Sequence, residues 1–145
     1  MIVVGVDGSD GSICALEWAA AEARLRRLPL KLVRAWHPPP DLYVGIGWTN
    51  LDGDALGDLR RLAGRRLEEI CAERSDLLEG LDVERVVVEG ATASALIDAA
   101  AGADMLVVGT RGHGGFAGLL LGSVSAQCAH HSPCPLVIVP PPRSA

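Results

Sequence analysis

Along this chain the spacing of apolar residues switches back and forth between strand-like and helix-like periods. Ile2 to Asp7 is a short, largely β-branched run and predicts a strand. Ser9 or Asp10 can then cap a helix in which Ile13, Leu16, Ala20 and Ala23 share a face. Arg24, Arg26 and Arg27 sit near its C-terminus, where cations suit the helix dipole, and Pro29 is placed as its stop. Leu30 to Trp36 predicts a second strand. His37 to Gly53 fits neither period and is long for a connection in a compact domain, which makes it a lid or a peripheral cover. Leu56, Leu59, Ala63, Leu67 and Ile70 then predict an amphipathic helix over about Asp54 to Arg74.

Val83 to Val88 predicts the third strand. Thr92 is placed as the cap of a short helix carrying Ala95, Leu96, Ala99 and Ala100, stopped by Gly102. Asp104 to Val108 is apolar on both faces, as strands inside a parallel sheet are. Beyond a glycine-rich segment, Ser123 to His131 predicts the last helix, ended at Ser132-Pro133, and Leu136 to Val139 the fifth strand. The alternation β-α-β-α-β-α-β-α-β predicts a single α/β domain over residues 1–145, a five-stranded parallel sheet covered on both faces by helices. Ligands in such sheets bind beyond the C-terminal strand ends, where the strand order reverses. Asp7-Gly8-Ser9, Ala35-Trp36 and the segment from Gly109 onward all fall at such ends.

Composition narrows the partners. A length of 145 residues with 49% hydrophobic content is enough to bury a core without metal or disulfides. No uncharged apolar run approaches the roughly 18 residues of a membrane helix. Met1 leads straight into the first strand, so a cytoplasmic protein without a signal peptide is expected. A net charge of −5 and a single lysine, Lys31, argue against nucleic acid. Cys14, Cys71, Cys128 and Cys134 have no CxxC spacing and are expected to be reduced and buried.

The richest chemistry lies in "GTRGHGGFAGLLLGS", residues 109–123, where six of fifteen positions are glycine directly behind an apolar strand. A loop that wraps a phosphate turns backbone N–H groups inward, and glycine permits both close approach and positive φ. Gly112, Gly114 and Gly115 can supply those groups, and Gly122-Ser123 opens a helix whose N–H groups, dipole and Ser123 hydroxyl would face an anion. A tight connection with glycines chosen for packing is the alternative. A P-loop is excluded, because it needs Gly-Lys-[Ser/Thr] and the lysine lies in the second strand. A dinucleotide fingerprint started at Gly112 and Gly114 reaches Ala117 at its third glycine, with no acidic residue closing a following strand.

The pattern Gly109-x2-Gly112-x9-Gly122-Ser123, followed by Val124 and a terminal "SPCPLVIVP", resembles the ATP-binding branch of the universal stress protein family. The opening "VVGVDGSDGSICALEWA" is similar to that family's first strand and helix, so the resemblance runs over the whole chain. It implies a Rossmann-like three-layer sandwich with strand order 3-2-1-4-5, and a homodimer paired through the last strand. By position it implies that Gly5 and Asp7 line the adenosine end, that the Ala35 backbone reads the adenine edge, and that Gly109 approaches the ribose. Gly112, His113, Gly114, Gly115, Gly122, Ser123 and Val124 would wrap the phosphates, with Arg111 and His113 as the only cationic candidates. The neutral stretch Gly114 to Gly118 departs from relatives that carry a basic residue there, so ATP, ADP and AMP all stay open as ligands. Mg or Mn can accompany a triphosphate, with Asp7 the obvious protein oxygen ligand. Asp7 has a second reading as a residue that only braces the following helix.

Other constellations are weaker. Cys128, His130, His131 and Cys134 form a C-x-H-H-x-x-C spacing that suggests zinc, but Pro133 and Pro135 direct Cys134 toward the last strand and a packing role is favoured, so no metal site is assigned. No Gly-x-Ser-x-Gly or paired-carboxylate motif supports a hydrolase. Trp36, Tyr43 and Trp48 can cover a base or form a small apolar cluster. The expected function is an ATP-occupied stress or signalling module with little turnover and no catalytic residue assigned. The alternatives are an adenylyl-transferring or ATP-hydrolysing enzyme and a nucleotide-free dimeric interaction protein.

Overall fold

A computed structural model describes residues 1–38, 53–112 and 120–142. Its elements in chain order are β1 (Ile2–Gly5), α1 (Asp10–Arg26), β2 (Leu30–Trp36), α2 (Gly53–Glu73), α3 (Ser75–Leu78), β3 (Val83–Glu89), α4 (Thr92–Ala99), β4 (Met105–Gly109), α5 (Ser123–His131) and β5 (Leu136–Val139). The strands form one parallel sheet in the order β3-β2-β1-β4-β5. Chain order reverses between β1 and β4, and the expected strand order and three-layer arrangement are present.

Strands β1 and β4 lie in the centre because they are apolar on both faces. Ile2, Val3, Val4, Leu106 and Val107 have no solvent exposure. Alternation divides them between two cores, with Ile2, Val4 and Val107 against Leu16, Ala20, Leu67 and Ile70 on one face. Val3, Leu106 and Val108 pack on the other against Leu96, Ala100 and Cys128. Each large side chain so enclosed contributes about 1.5–3 kcal/mol. The α1 stripe that meets the sheet is mostly small, with Ala15, Ala19, Ala20 and Ala23 all fully enclosed, so this helix lies close to the strands.

Several boundaries differ from the sequence expectation for local physical reasons. β1 ends at Gly5, two residues early, although the Val6 N–H still reaches the Val33 carbonyl at 2.9 Å. Ser9 is the cap of α1, its side chain accepting from the Ser12 N–H. The helix stops before Pro29, because Arg27 takes a left-handed conformation (φ 57°) and the Leu28 N–H closes on the Ala23 carbonyl at 3.0 Å. Thr92 is the first residue of α4 instead of its cap, a place taken by Ala91, which has no side-chain acceptor to offer. The sequence reading did not include α3. The Arg24 guanidinium donates to the Leu77 and Glu79 carbonyls at 3.1 and 3.0 Å, a contact across more than fifty residues that no local pattern encodes.

The two sheet edges are unlike. β3 carries Glu84, Arg85 and Glu89, and Lys31 on β2 pairs with Glu84 at 3.2 Å. β5 is uncharged from Leu136 to Val139 and half-buried throughout. No described helix is long and apolar enough to cross a membrane.

Candidate functional site

The C-terminal ends of β1, β2 and β4 open onto a cavity of about 690 Å³ at the point of strand reversal. Gly5, Val6 and Asp7 come from the end of β1, Val33, Arg34 and Ala35 from β2, and Val108, Gly109, Arg111 and Gly112 from β4 and beyond. Thr92 and Leu96 of α4, Ser12 of α1 and the first turn of α5 complete the described wall. Nine expected positions are thereby brought together: Gly5, Asp7, Ala35, Gly109, Arg111, Gly112, Gly122, Ser123 and Val124. His113, Gly114 and Gly115 lie outside the described residues, as do Tyr43 and Trp48.

The glycines of this wall are required by close approach. None of Gly5, Gly109, Gly112 and Gly122 has a positive φ, so at these positions close approach is what glycine supplies. A Cβ on Gly5 would stand 2.9 Å from Leu96 Cδ1, and one on Gly109 would stand 2.6 Å from both the carbonyl carbon and oxygen of Gly11. On Gly112 it would lie 2.7 Å from Asp7 Oδ2. The packing alternative for the glycine segment therefore fits Gly109, which also lines the cavity.

Asp7 braces the following helix and also lines the cavity. Its Oδ1 accepts the Ser9 N–H at 2.8 Å and the Ser9 hydroxyl, which braces the cap of α1, while Oδ2 is set against Gly112. The Ser12 hydroxyl accepts from the Gly8 N–H at 3.1 Å and donates to the Ser9 carbonyl at 3.0 Å. This turn is therefore built from its own side chains, and α1 is capped. Helix α5 is different, because its N-cap is Gly122 and no side chain caps its first turn. Orphan N–H groups at a helix start favour an anion, and here they border the cavity.

Ser125 and Arg34 are among the lining residues that the sequence did not single out. Ser125, 2% exposed, donates to the Thr110 carbonyl at 2.7 Å. Arg34 adds a cation to the cavity wall on β2, next to Ala35. Its Nε and Nη1 are shielded and have no partner among the described residues. Burial pushes its pKa down, Asp7 opposes that shift and Arg66 adds to it. β2 carries a second cation, Lys31, so nothing in the strand's pattern singled Arg34 out. Replacing a shielded, incompletely bonded cation by an apolar residue of similar length is often neutral or stabilising. Arg34→Met is expected to raise the stability of the ligand-free protein by about 1 kcal/mol, read from thermal or urea unfolding; a clear loss of stability would show that the guanidinium is well partnered.

The cysteine expectation holds in part. All four thiols are free, and Cys71 and Cys128 are buried, but Cys14 and Cys134 are half-buried. Burial pushes the Cys128 thiol up in pKa, while His130 and His131 are exposed on the surface. Among the described residues no group of three or more His, Cys, Asp or Glu is placed to hold a metal ion.

Comparison with known proteins agrees with this architecture. Residues 1–140 match the model of the universal stress protein family. The universal stress protein Rv2623 of Mycobacterium tuberculosis is 34% identical over 146 residues, covering 95% of this chain and 46% of that protein. A universal stress protein of Thermus aquaticus is 36% identical over 140 residues, covering 95% of this chain and 96% of that one. The chain thus spans about half the length of the mycobacterial relative. Among solved structures, a universal stress protein in complex with cAMP is 31% identical, with a TM-score of 0.71 and 97% of each chain covered. The hypothetical protein MJ0577 superposes with a TM-score of 0.80 at 23% identity, covering 99% of this chain and 96% of that one, a likeness of fold. With the family pattern matched along nearly the whole chain, this protein belongs to the universal stress protein family.

Proposed function

We propose that the cavity binds an adenine nucleotide, ATP in the first place, and that the protein acts as a nucleotide-dependent stress or signalling module with little turnover. One observation carries the reading: a helix with a glycine N-cap and no side-chain cap starts on the same cavity that the Ala35 backbone, Asp7 and Gly109 line. The base end would meet backbone at Ala35, the ribose would lie between Asp7 and Gly109, and the phosphates would run toward Gly112, Gly122, Ser123 and Val124, with Arg111 beside them. His113, Gly114 and Gly115 complete that set by sequence position. Solved relatives in complex with cAMP and dAMP, and one with AMP bound, support this class of ligand. Mg or Mn held by a triphosphate would find Asp7 as the carboxylate among the described lining residues, with Oδ1 already engaged by Ser9.

The same reading takes residues 1–145 as one cytoplasmic domain that pairs with a second copy through β5. Its support is the contrast between the charged β3 edge and the uncharged β5 edge, since exposed edges without charge invite strand pairing. Native mass spectrometry of gently purified protein tests ligand and assembly together. Co-purified adenine nucleotide on a dimer is the expected result. Nucleotide-free protein that millimolar ATP does not stabilise against heat would overturn the reading, and steady release of AMP and pyrophosphate would replace it with an enzyme.

A further inference from the structure

The start of α5 is fastened to the end of β4 through a single residue, Thr110. The Thr110 carbonyl accepts the Gly122 N–H at 2.7 Å and the Ser125 hydroxyl at 2.7 Å. Ser125 also lies 3.1 Å from the Gly122 carbonyl, the weaker half of a shared proton. On its other side Thr110 donates its N–H to the Val139 carbonyl of β5 at 3.1 Å. The start of α5 is thus tied to one residue at the end of β4, which is itself anchored to β5.

Ser125 is the third residue of α5, a position whose side chain in many helices reaches back to cap the N-terminus. Here the hydroxyl is spent outside the helix. The Gly122 N–H is likewise consumed by Thr110, so the first turn is held in place without covering the N–H groups of Ser123 and Val124. That separation of holding from capping is what an anion site at a helix start needs, because a few tenths of an ångström in donor position change a charge-assisted hydrogen bond.

We propose that Ser125 is a positioning residue of the phosphate end: its hydroxyl orients the first turn of α5 against β4 so that the uncapped N–H groups converge on a phosphoryl group. The inference rests on the nucleotide reading above. Ser125→Ala removes the tie and leaves the Thr110 carbonyl with the Gly122 N–H as partner.

Titrations of wild type and Ser125→Ala with adenosine, AMP and ATP test it, together with amide exchange of Gly122 in the ligand-free protein. AMP and ATP affinity is expected to fall about tenfold, the worth of one well-formed hydrogen bond, while adenosine affinity stays within about twofold. Gly122 exchange is expected to quicken. A merely structural serine would weaken all three ligands equally or none, and either pattern overturns the proposal. Unchanged Gly122 exchange overturns it as well. A wild-type protein that binds none of the ligands sinks the nucleotide reading itself, an outcome distinct from a wild type that binds and a variant that binds equally well.

Discussion

Replacing Gly109 with alanine is expected to cost about 2–4 kcal/mol and to lower Tm by roughly 10 °C. The new Cβ would stand 2.6 Å from the Gly11 carbonyl carbon and oxygen and 3.1 Å from its Cα. These are backbone atoms, so no rotamer change relieves the clash. Neither partner yields easily, since β4 is paired with β1 and β5 and α1 is seated by a stripe of fully enclosed alanines. The contact is tight from both sides, because a Cβ on Gly11 would stand 2.4 Å from the Arg111 carbonyl oxygen. Pushing α1 away from β4 would also move Asp7 from Gly112, so nucleotide affinity should fall with stability. Gly64 on α2 serves as the control, having nothing within 4 Å of an added Cβ; Gly64→Ala is expected to stabilise by about 0.5–1 kcal/mol. Thermal melts of the two variants decide the matter, and an unchanged melting temperature for Gly109→Ala would show that the crossing is loose.

Gly122→Glu is expected to abolish stabilisation by ATP, with an affinity loss of at least about 100-fold, while the protein stays folded. Steric and electrostatic effects act together here. An added Cβ would lie 3.3 Å from the Arg111 Cα and the Thr110 carbonyl oxygen, which forces a small shift of the first turn. The carboxylate then places a negative charge at the helix start, where it would occupy the N–H groups and repel a phosphate. A glutamate at this place should be well tolerated by the empty protein, because acidic groups suit a helix N-terminus. The diagnostic result is therefore a normal melt without nucleotide and no upward shift at millimolar ATP. A variant that still gained thermal stability from ATP would place the phosphates elsewhere on the molecule.

The elements were legible where the period of apolar residues was undisturbed. Strand β4, apolar on both faces, could only be internal, and α2 followed its leucine spacing closely. Boundaries set by backbone geometry were not legible. Arg27, not proline, ends α1, since a left-handed arginine is favoured by the Leu28 to Ala23 hydrogen bond and has no signature of its own. The short α3 was missed because it is held by Arg24 from across the chain.

The site shows the same division. Its spacing pointed to Gly109, Gly112, Gly122 and Ser123, and of the close approach and positive φ that glycine permits, the structure shows close approach, of Gly11 to Gly109 and of Asp7 to Gly112. Arg34 and Ser125 stayed hidden because their importance depends on what surrounds them, a shielded pocket wall and the carbonyl of Thr110. What the sequence by itself determined was the alternation of elements and the parallel sheet, since these follow from periodicity along one dimension. Only the tertiary structure decided which backbone atoms meet, which helix start is left uncapped and which cation lines the cavity, because those depend on distances between segments far apart in the chain.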